Sequence, residues 1–212
     1  MEQAVLLLGR GGLVAYPTES WYGLAVDPFN REAVDRLFAV KRREKSKPLP
    51  TLISSYAQLV LLTRDVPVCY RVLMEKFWPG PLTLVFPAHP YVPACLTAGT
   101  DTVAVRLSSH PVAAGLAEAY GGPITATSAN ISGETPQDTA QGVVGCLGDE
   151  IDMVLDGGRT AGICASTVVS CPAGTLTCLR EGRIAFAGVK EAVQEMKREG
   201  KISIDDESEE RV

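Results

Sequence analysis

The chain lacks most of the patterns that announce a chemistry. Its six cysteines (Cys69, Cys95, Cys146, Cys164, Cys171 and Cys178) form no C-x-x-C pair, and it has two histidines, His89 and His110. A structural zinc site needs four closely spaced ligands of these types, so none is expected, and the thiols read as reduced and mostly buried. There is no G-x-x-x-x-G-K-[ST] loop, and "GRGGL" has the wrong spacing for G-x-G-x-x-G. No G-x-S-x-G elbow is present, so a nucleophilic serine hydrolase is not indicated. No apolar run is long enough to cross a membrane. The opening "MEQAVLLLGRGG" has no basic leader and no small-residue cleavage site, which argues for a cytoplasmic protein. Positive charge is also in short supply. A net charge of −5 excludes a protein that coats nucleic acid with its whole surface, so such a role would need a local patch.

What is present suits one α/β domain. Hydrophobic residues make up 46% and charged residues 21%, ordinary values for a globular chain of 212 residues. Segments 13–16, 22–26, 49–54, 82–86, 102–106, 123–128, 152–156, 166–170 and 175–180 are rich in Val, Ile, Leu and Thr and read as strands. Helical spacing occurs at 30–42, capped by Asn30 with Val34, Leu37 and Phe38 on one stripe, and at 56–62, 66–77, 111–120, 138–147 and 189–199. The expected fold is a twisted mixed sheet flanked by helices. Residues 1–190 form its domain, and 191–212 form a helix end and an acidic, disordered tail.

Two features stand out chemically. Lys41, Arg42, Arg43, Lys45 and Lys47 crowd into seven positions at the end of a helix. Cations there complement the helix dipole at about 0.3–1 kcal/mol each, but five repel one another, so a polyanion is the more economical account than a solvated charge run. In addition, several strands end in polar groups. "LVAYPTES" ends in Thr18, Glu19 and Ser20, "VAVR" in Arg106, "ITATSAN" in Thr127, Ser128 and Asn130, and "LTCLR" in Arg180. Ligands of open α/β sheets bind at the carboxyl ends of strands. One such ending is an ordinary turn or cap, whereas four together suggest a shared crevice. "FWPGPLTLVF" reads as structure, with Trp78 packing. His110 reads as a helix-start residue, and "DGGRTAG" with Ser166 and Thr167 close by leans towards a site role.

"GGLVAYPTESWYGLAVD", "KRREKSKP", "WPGPLTLV", "VAVRLSSHP", "TSANISGETP", "GICASTVV" and "LREG" occur in that order. Together they resemble the YrdC-like family of threonylcarbamoyl-AMP synthases, over about residues 5 to 190. The resemblance implies an α/β fold with a positively charged concave face. It implies a reaction in which L-threonine, bicarbonate and ATP give threonylcarbamoyl-AMP and pyrophosphate, with Mg²⁺ on the phosphates. The product would serve a tRNA-modification transferase complex acting at adenosine 37; whether this chain itself touches tRNA is left open. The same resemblance marks Lys41, Arg43, Ser128 and Asn130 as a catalytic tetrad. It gives Thr18, Ser20, Arg106 and Ser166 to threonine, and Arg43, Lys47, Thr102, Ser128 and Arg180 to ATP. Some relatives carry a histidine where this chain has Leu52.

Two other readings compete. One is a non-catalytic module that binds double-stranded RNA or tRNA through the basic cluster, against which stand the acidic balance and the lack of interleaved aromatics for stacking. The other keeps the fold but changes the substrate, as in the YrdC-like domain of carbamoyltransferase maturation proteins, which resemblance associates with zinc-finger and further domains.

Overall fold

A computed structural model describes residues 1–198. The expected acidic tail lies outside the described residues from 199 onward, and residues 191–198 belong to a regular helix. The helices are α1 (Glu2–Gly9), α2 (Arg31–Val40), α3 (Val68–Phe77), α4 (Ala94–Thr97), α5 (Pro111–Tyr120), α6 (Ala140–Leu147) and α7 (Phe186–Arg198). The strands are β1 (Val14–Pro17), β2 (Tyr22–Ala25), β3 (Thr51–Ile53), β4 (Leu82–Pro87), β5 (Thr102–Leu107), β6 (Ile124–Thr125), β7 (Thr127–Ser128), β8 (Met153–Val154), β9 (Thr167–Ser170) and β10 (Thr177–Arg180). Residues 56–61, expected as α-helix, wind as 3₁₀ helix. No helix among the described residues is long and apolar enough to cross a membrane.

The strands form two mixed sheets where a single one was expected. One runs β7-β2-β1-β8 and the other β10-β9-β4-β5-β3-β6. The "ITATS" run, which reads as one strand, divides at Ala126. Its first half pairs with β3 and its second half with β2, both antiparallel. Thr125 holds the seam, because its buried hydroxyl accepts from Val26 N at 3.0 Å and donates to Leu24 O at 2.9 Å. Its carbonyl accepts from the Tyr16 hydroxyl at 2.8 Å. Alternation alone could not reveal this, since Ile124, Thr125 and Thr127 are all buried. A buried sheet junction erases the in-out period.

The helices cover the sheets as their stripes dictate. Asn30 caps α2 by accepting from Ala33 N at 3.1 Å, and Val34, Leu37 and Phe38 bury against Leu13, Tyr22 and Leu24. Each such side chain contributes roughly 1.5–3 kcal/mol. α3 and α7 pack with Leu82, Leu84, Phe86, Val103 and Val105 through Tyr70, Leu73, Val189, Ala192 and Val193. α7 therefore runs through residue 190 as part of the packed body. A third cluster joins α1 and α5 to residues of both sheets, among them Val14, Tyr16, Leu52 and Ile124. Trp78 is buried and donates to Leu82 O at 2.7 Å, the packing role expected of it. The Sγ atoms of Cys69 and Cys171 are in contact at 2.9 Å.

If the Thr125 hydroxyl joins the sheets, Thr125→Val removes two buried hydrogen bonds, from Val26 N and to Leu24 O, while keeping the volume. It is expected to lower the unfolding free energy by about 1–3 kcal/mol in urea titrations. Thr125→Ser, which keeps the hydroxyl, should lose less.

Candidate active site

Strand directions decide which ends meet. β4 runs antiparallel to β5, β9 parallel to β4, and β10 antiparallel to β9. The carboxyl ends of β5 and β10 therefore lie beside the start of β9. Arg106, Arg180 and Ser166 occupy those positions. With the loop after β1 and the chain after α2 they surround a cavity of about 230 Å³, lined among others by Tyr16, Thr18, Ser20, Arg43, Thr83, Arg106, Ser128, Ser166 and Arg180.

Each group is held by a local arrangement. Thr18 folds the β1–β2 loop on itself. Its hydroxyl donates to Trp21 O at 2.7 Å and accepts from Ser20 N at 3.2 Å, so it shapes the loop rather than standing free. Ser20 is thereby buried against the cavity, and its Oγ has no partner. Arg106 is buried and lies 3.2 Å from Oε1 of Glu19, whose Oε2 accepts from Ser108 Oγ at 2.5 Å. Ser166 Oγ shares a hydrogen bond with Thr83 Oγ1 at 2.8 Å and accepts from Arg180 Nη2 at 3.1 Å. Arg180 also donates to Ser166 O at 2.9 and 3.1 Å. Burial, then the nearby charge of Arg106, lowers the pKa of Arg180, with Arg43 adding a smaller push. The three guanidinium groups thus share one field.

The basic cluster disperses instead of standing together as one patch for a polyanion, as its spacing suggested. The backbone turns left-handed at Arg42, with φ of 49°, so consecutive side chains leave in different directions. Lys41 points into the core. Arg43 turns to the cavity, donates to Pro48 O at 2.9 Å, and keeps a buried Nε without a partner. Lys45 pairs with Asp35 at 2.5 Å and Lys47 with Glu44 at 3.3 Å, both on the exterior. Acidic neighbours therefore absorb two of the five charges.

Of the expected tetrad, Arg43 and Ser128 line the cavity, while Lys41 and Asn130 lie behind it. Lys41 Nζ donates to Ser128 O, to Asn130 O at 2.8 Å and to Asn130 Oδ1 at 3.1 Å. Asn130 Oδ1 also accepts from Ser128 Oγ at 2.6 Å, and its Nδ2 donates to Ile131 O and Glu134 O at 2.9 and 2.7 Å. The lysine therefore anchors the loop that presents Ser128. Burial, followed by the charge of Arg43, brings its pKa down to about 7.

Two further residues expected at the site are not brought to the cavity. Thr102 begins β5, at the opposite end from Arg106, about 13 Å away by strand rise, and its hydroxyl pairs with Thr100 at 2.8 Å. Lys47 lies outside the lining with Glu44. Leu52 is fully buried in the third cluster, so it makes no cavity contact. His110 caps α5 by accepting from Val112 N at 3.3 Å, the helix-start role read for it. The "DGGRTAG" loop reaches the site through backbone. Gly162 N donates to Ser20 O at 2.8 Å, and an Arg159–Asp138 ion pair ties the loop down. Sequence reasoning passed over Thr83 and Arg183. Thr83 reads as one more strand threonine, and only its contact with Ser166 reveals it. Arg183 donates to Glu19 O at 2.5 Å, and its position three residues beyond Arg180 was the available signal.

Comparison with known proteins agrees with the motif order. The Sua5_yciO_yrdC family model, described as "Telomere recombination", matches residues 6–182. A protein of Pyrococcus abyssi named threonylcarbamoyl-AMP synthase is 38% identical over 188 residues, covering 89% of this chain and 55% of that protein. A protein of Vibrio cholerae with the same name is 40% identical over 184 residues, covering 86% of this chain and 97% of its own length. The crystal structure of P. abyssi Sua5 complexed with L-threonine superposes with a TM-score of 0.86 at 38% identity, over 90% of this chain and 56% of that one. The chain thus spans about half the length of the P. abyssi relative it matches.

The buried lysine gives a pH signature. Its pKa of about 7 lies below the 10.5 of a free lysine. Between those values the unfolded chain binds one more proton than the folded chain, so stability rises with pH across that window. Urea midpoints of the wild type should climb from pH 7 towards pH 10. Lys41→Met, less stable throughout because it removes three hydrogen bonds that hold the Ser128–Asn130 loop, should show a flatter profile.

Proposed function

The chain belongs to the Sua5/YciO/YrdC family, and from that premise we propose that it joins L-threonine, bicarbonate and ATP into threonylcarbamoyl-AMP with release of pyrophosphate. The observation that carries this reading is the convergence of Arg43, Arg106 and Arg180 on one cavity that also holds the unpartnered Ser20 Oγ and Arg43 Nε. Buried polar atoms without partners cost about 1–3 kcal/mol each, and a ligand supplies the missing bonds.

The chemistry needs positioning more than a nucleophile from the protein. A carbamate formed on the threonine amine must attack the α-phosphorus of ATP, and both reactants are anions. Arg43 and Arg180 neutralise the phosphates and stabilise the departing pyrophosphate, while Ser128 orients them. Arg106 takes the threonine carboxylate, and the Ser20 and Ser166 hydroxyls take its remaining polar groups. Lys41 and Asn130 act by fixing the Ser128 loop. Lys47 and Thr102 stand outside this cavity, and no step is assigned to them.

The residues do not form a seat for a metal. Among the described residues no three His, Cys, Asp or Glu side chains cluster for one, and Glu19 is already engaged by Arg106. Mg²⁺ would arrive on the triphosphate as part of the substrate. The work would take place in the cytoplasm, and the product would pass to a transferase that modifies tRNA. The dispersal of the basic run removes the main support for a non-catalytic RNA-binding module.

Pyrophosphate release should require both threonine and bicarbonate. Equal release from ATP alone would refute the reading. Arg43→Ala is expected to slow release by about 10²- to 10³-fold with an unchanged circular dichroism spectrum. A folded variant with near-normal turnover would remove Arg43 from the reaction.

A further inference from the structure

The charges around the cavity are unevenly compensated. Arg43 donates to a backbone carbonyl, and Arg180 to a carbonyl and a hydroxyl, and neither faces a carboxylate. Arg106 differs, because Glu19 lies against it at 3.2 Å with both side chains about one-tenth exposed. Of the three guanidinium groups at the cavity, two therefore carry uncompensated positive charge and the third, Arg106, is close to neutral. Glu19 is fixed for this from several directions. Ser108 donates to Oε2 at 2.5 Å, Arg183 donates to the backbone carbonyl at 2.5 Å, and the buried Oε1 faces Arg106 as an ion pair.

We infer that Glu19 is a specificity-determining residue that sorts the substrates by charge, reserving the neutralised Arg106 for a zwitterionic amino acid and leaving the polyphosphate to the uncompensated Arg43 and Arg180. The inference rests on the activity proposed above and adds what sorts the two substrates. Without an internal counter-charge, three neighbouring guanidinium groups would all favour the most highly charged anion available, and the polyphosphate would occupy the amino-acid position. With Glu19 in place, a polyanion brought to Arg106 meets a like charge with nothing to offset it, whereas the ammonium group of a zwitterionic amino acid offsets the repulsion on its carboxylate. Glu19 is absent from the cavity lining, so it acts through Arg106 as a positioning and charge-balancing group.

The test is calorimetric binding of L-threonine and, separately, of tripolyphosphate to the full chain and to Glu19→Gln and Glu19→Asp. Glu19→Gln should weaken threonine by roughly tenfold or more and leave tripolyphosphate as tight or tighter, with Glu19→Asp between it and the wild type. Equal weakening of both ligands would mean that Glu19 only maintains the fold, and no change in either would mean that it does nothing here. Each of these results overturns the inference. If the wild type binds no threonine, the proposed activity falls instead. The charge division then stands or falls on whether Glu19→Gln tightens tripolyphosphate.

Discussion

Like charges must be held together against their own repulsion, and the site is organised around that constraint. Three guanidinium groups share a cavity of about 230 Å³, where Arg106 is buried and Arg43 half-buried, so water screens them less than it would on an open surface. Each is restrained by the fold. Arg180 is clamped to Ser166, Arg43 to the Pro48 carbonyl, and Arg106 to Glu19. The restraints come from different parts of the chain, so the cluster persists only while both sheets, the helix end after α2 and the β9–β10 hairpin keep their places. A free polyelectrolyte segment would spread apart, whereas a folded scaffold supplies preorganised charge.

The junction between the sheets is the mechanical counterpart of this electrostatic centre. Tyr16 and Ser128 lie on the smaller sheet, while Thr83, Arg106 and Arg180 lie on the larger one. The chain passes between sheets at Ala126, directly before Thr127 and Ser128. Thr125 therefore links secondary structure to the floor of the cavity within three residues. Gly23 serves the same surface by its lack of a side chain, since a Cβ there would come within 3.1 Å of the Tyr16 ring.

Much of this was legible beforehand, for identifiable reasons. The Asn30 cap and the Val34, Leu37 and Phe38 stripe fixed α2, because both signals are local. Polar residues at the strand ends marked Ser20, Arg106, Ser128 and Arg180 as a group, because parallel and antiparallel pairing can bring such ends together. Other features were hidden because they depend on distant partners. The division of "ITATS" between two sheets was hidden because its residues are buried or half-buried throughout, which leaves little alternation to read. The fate of Lys45 depended on Asp35, ten residues away, whose nearness is visible only after the chain turns, whereas Glu44 stood in plain view three residues before Lys47. The short α1 passed unnoticed because its apolar residues form a run rather than a stripe. Thr102 and Arg106 sit four residues apart in sequence, yet an extended strand sends them to opposite edges.

The left-handed backbone at Arg42 has a consequence for how this segment can vary. Between a lysine turned inward and an arginine turned to the cavity stands a residue whose own side chain is exposed. Its contribution is a dihedral angle. Among substitutions at that position, glycine and asparagine accept positive φ readily while valine and isoleucine resist it, whatever their polarity. A saturation library there would be filtered by backbone geometry and be nearly blind to charge, even though the residue sits in the most cationic stretch of the chain.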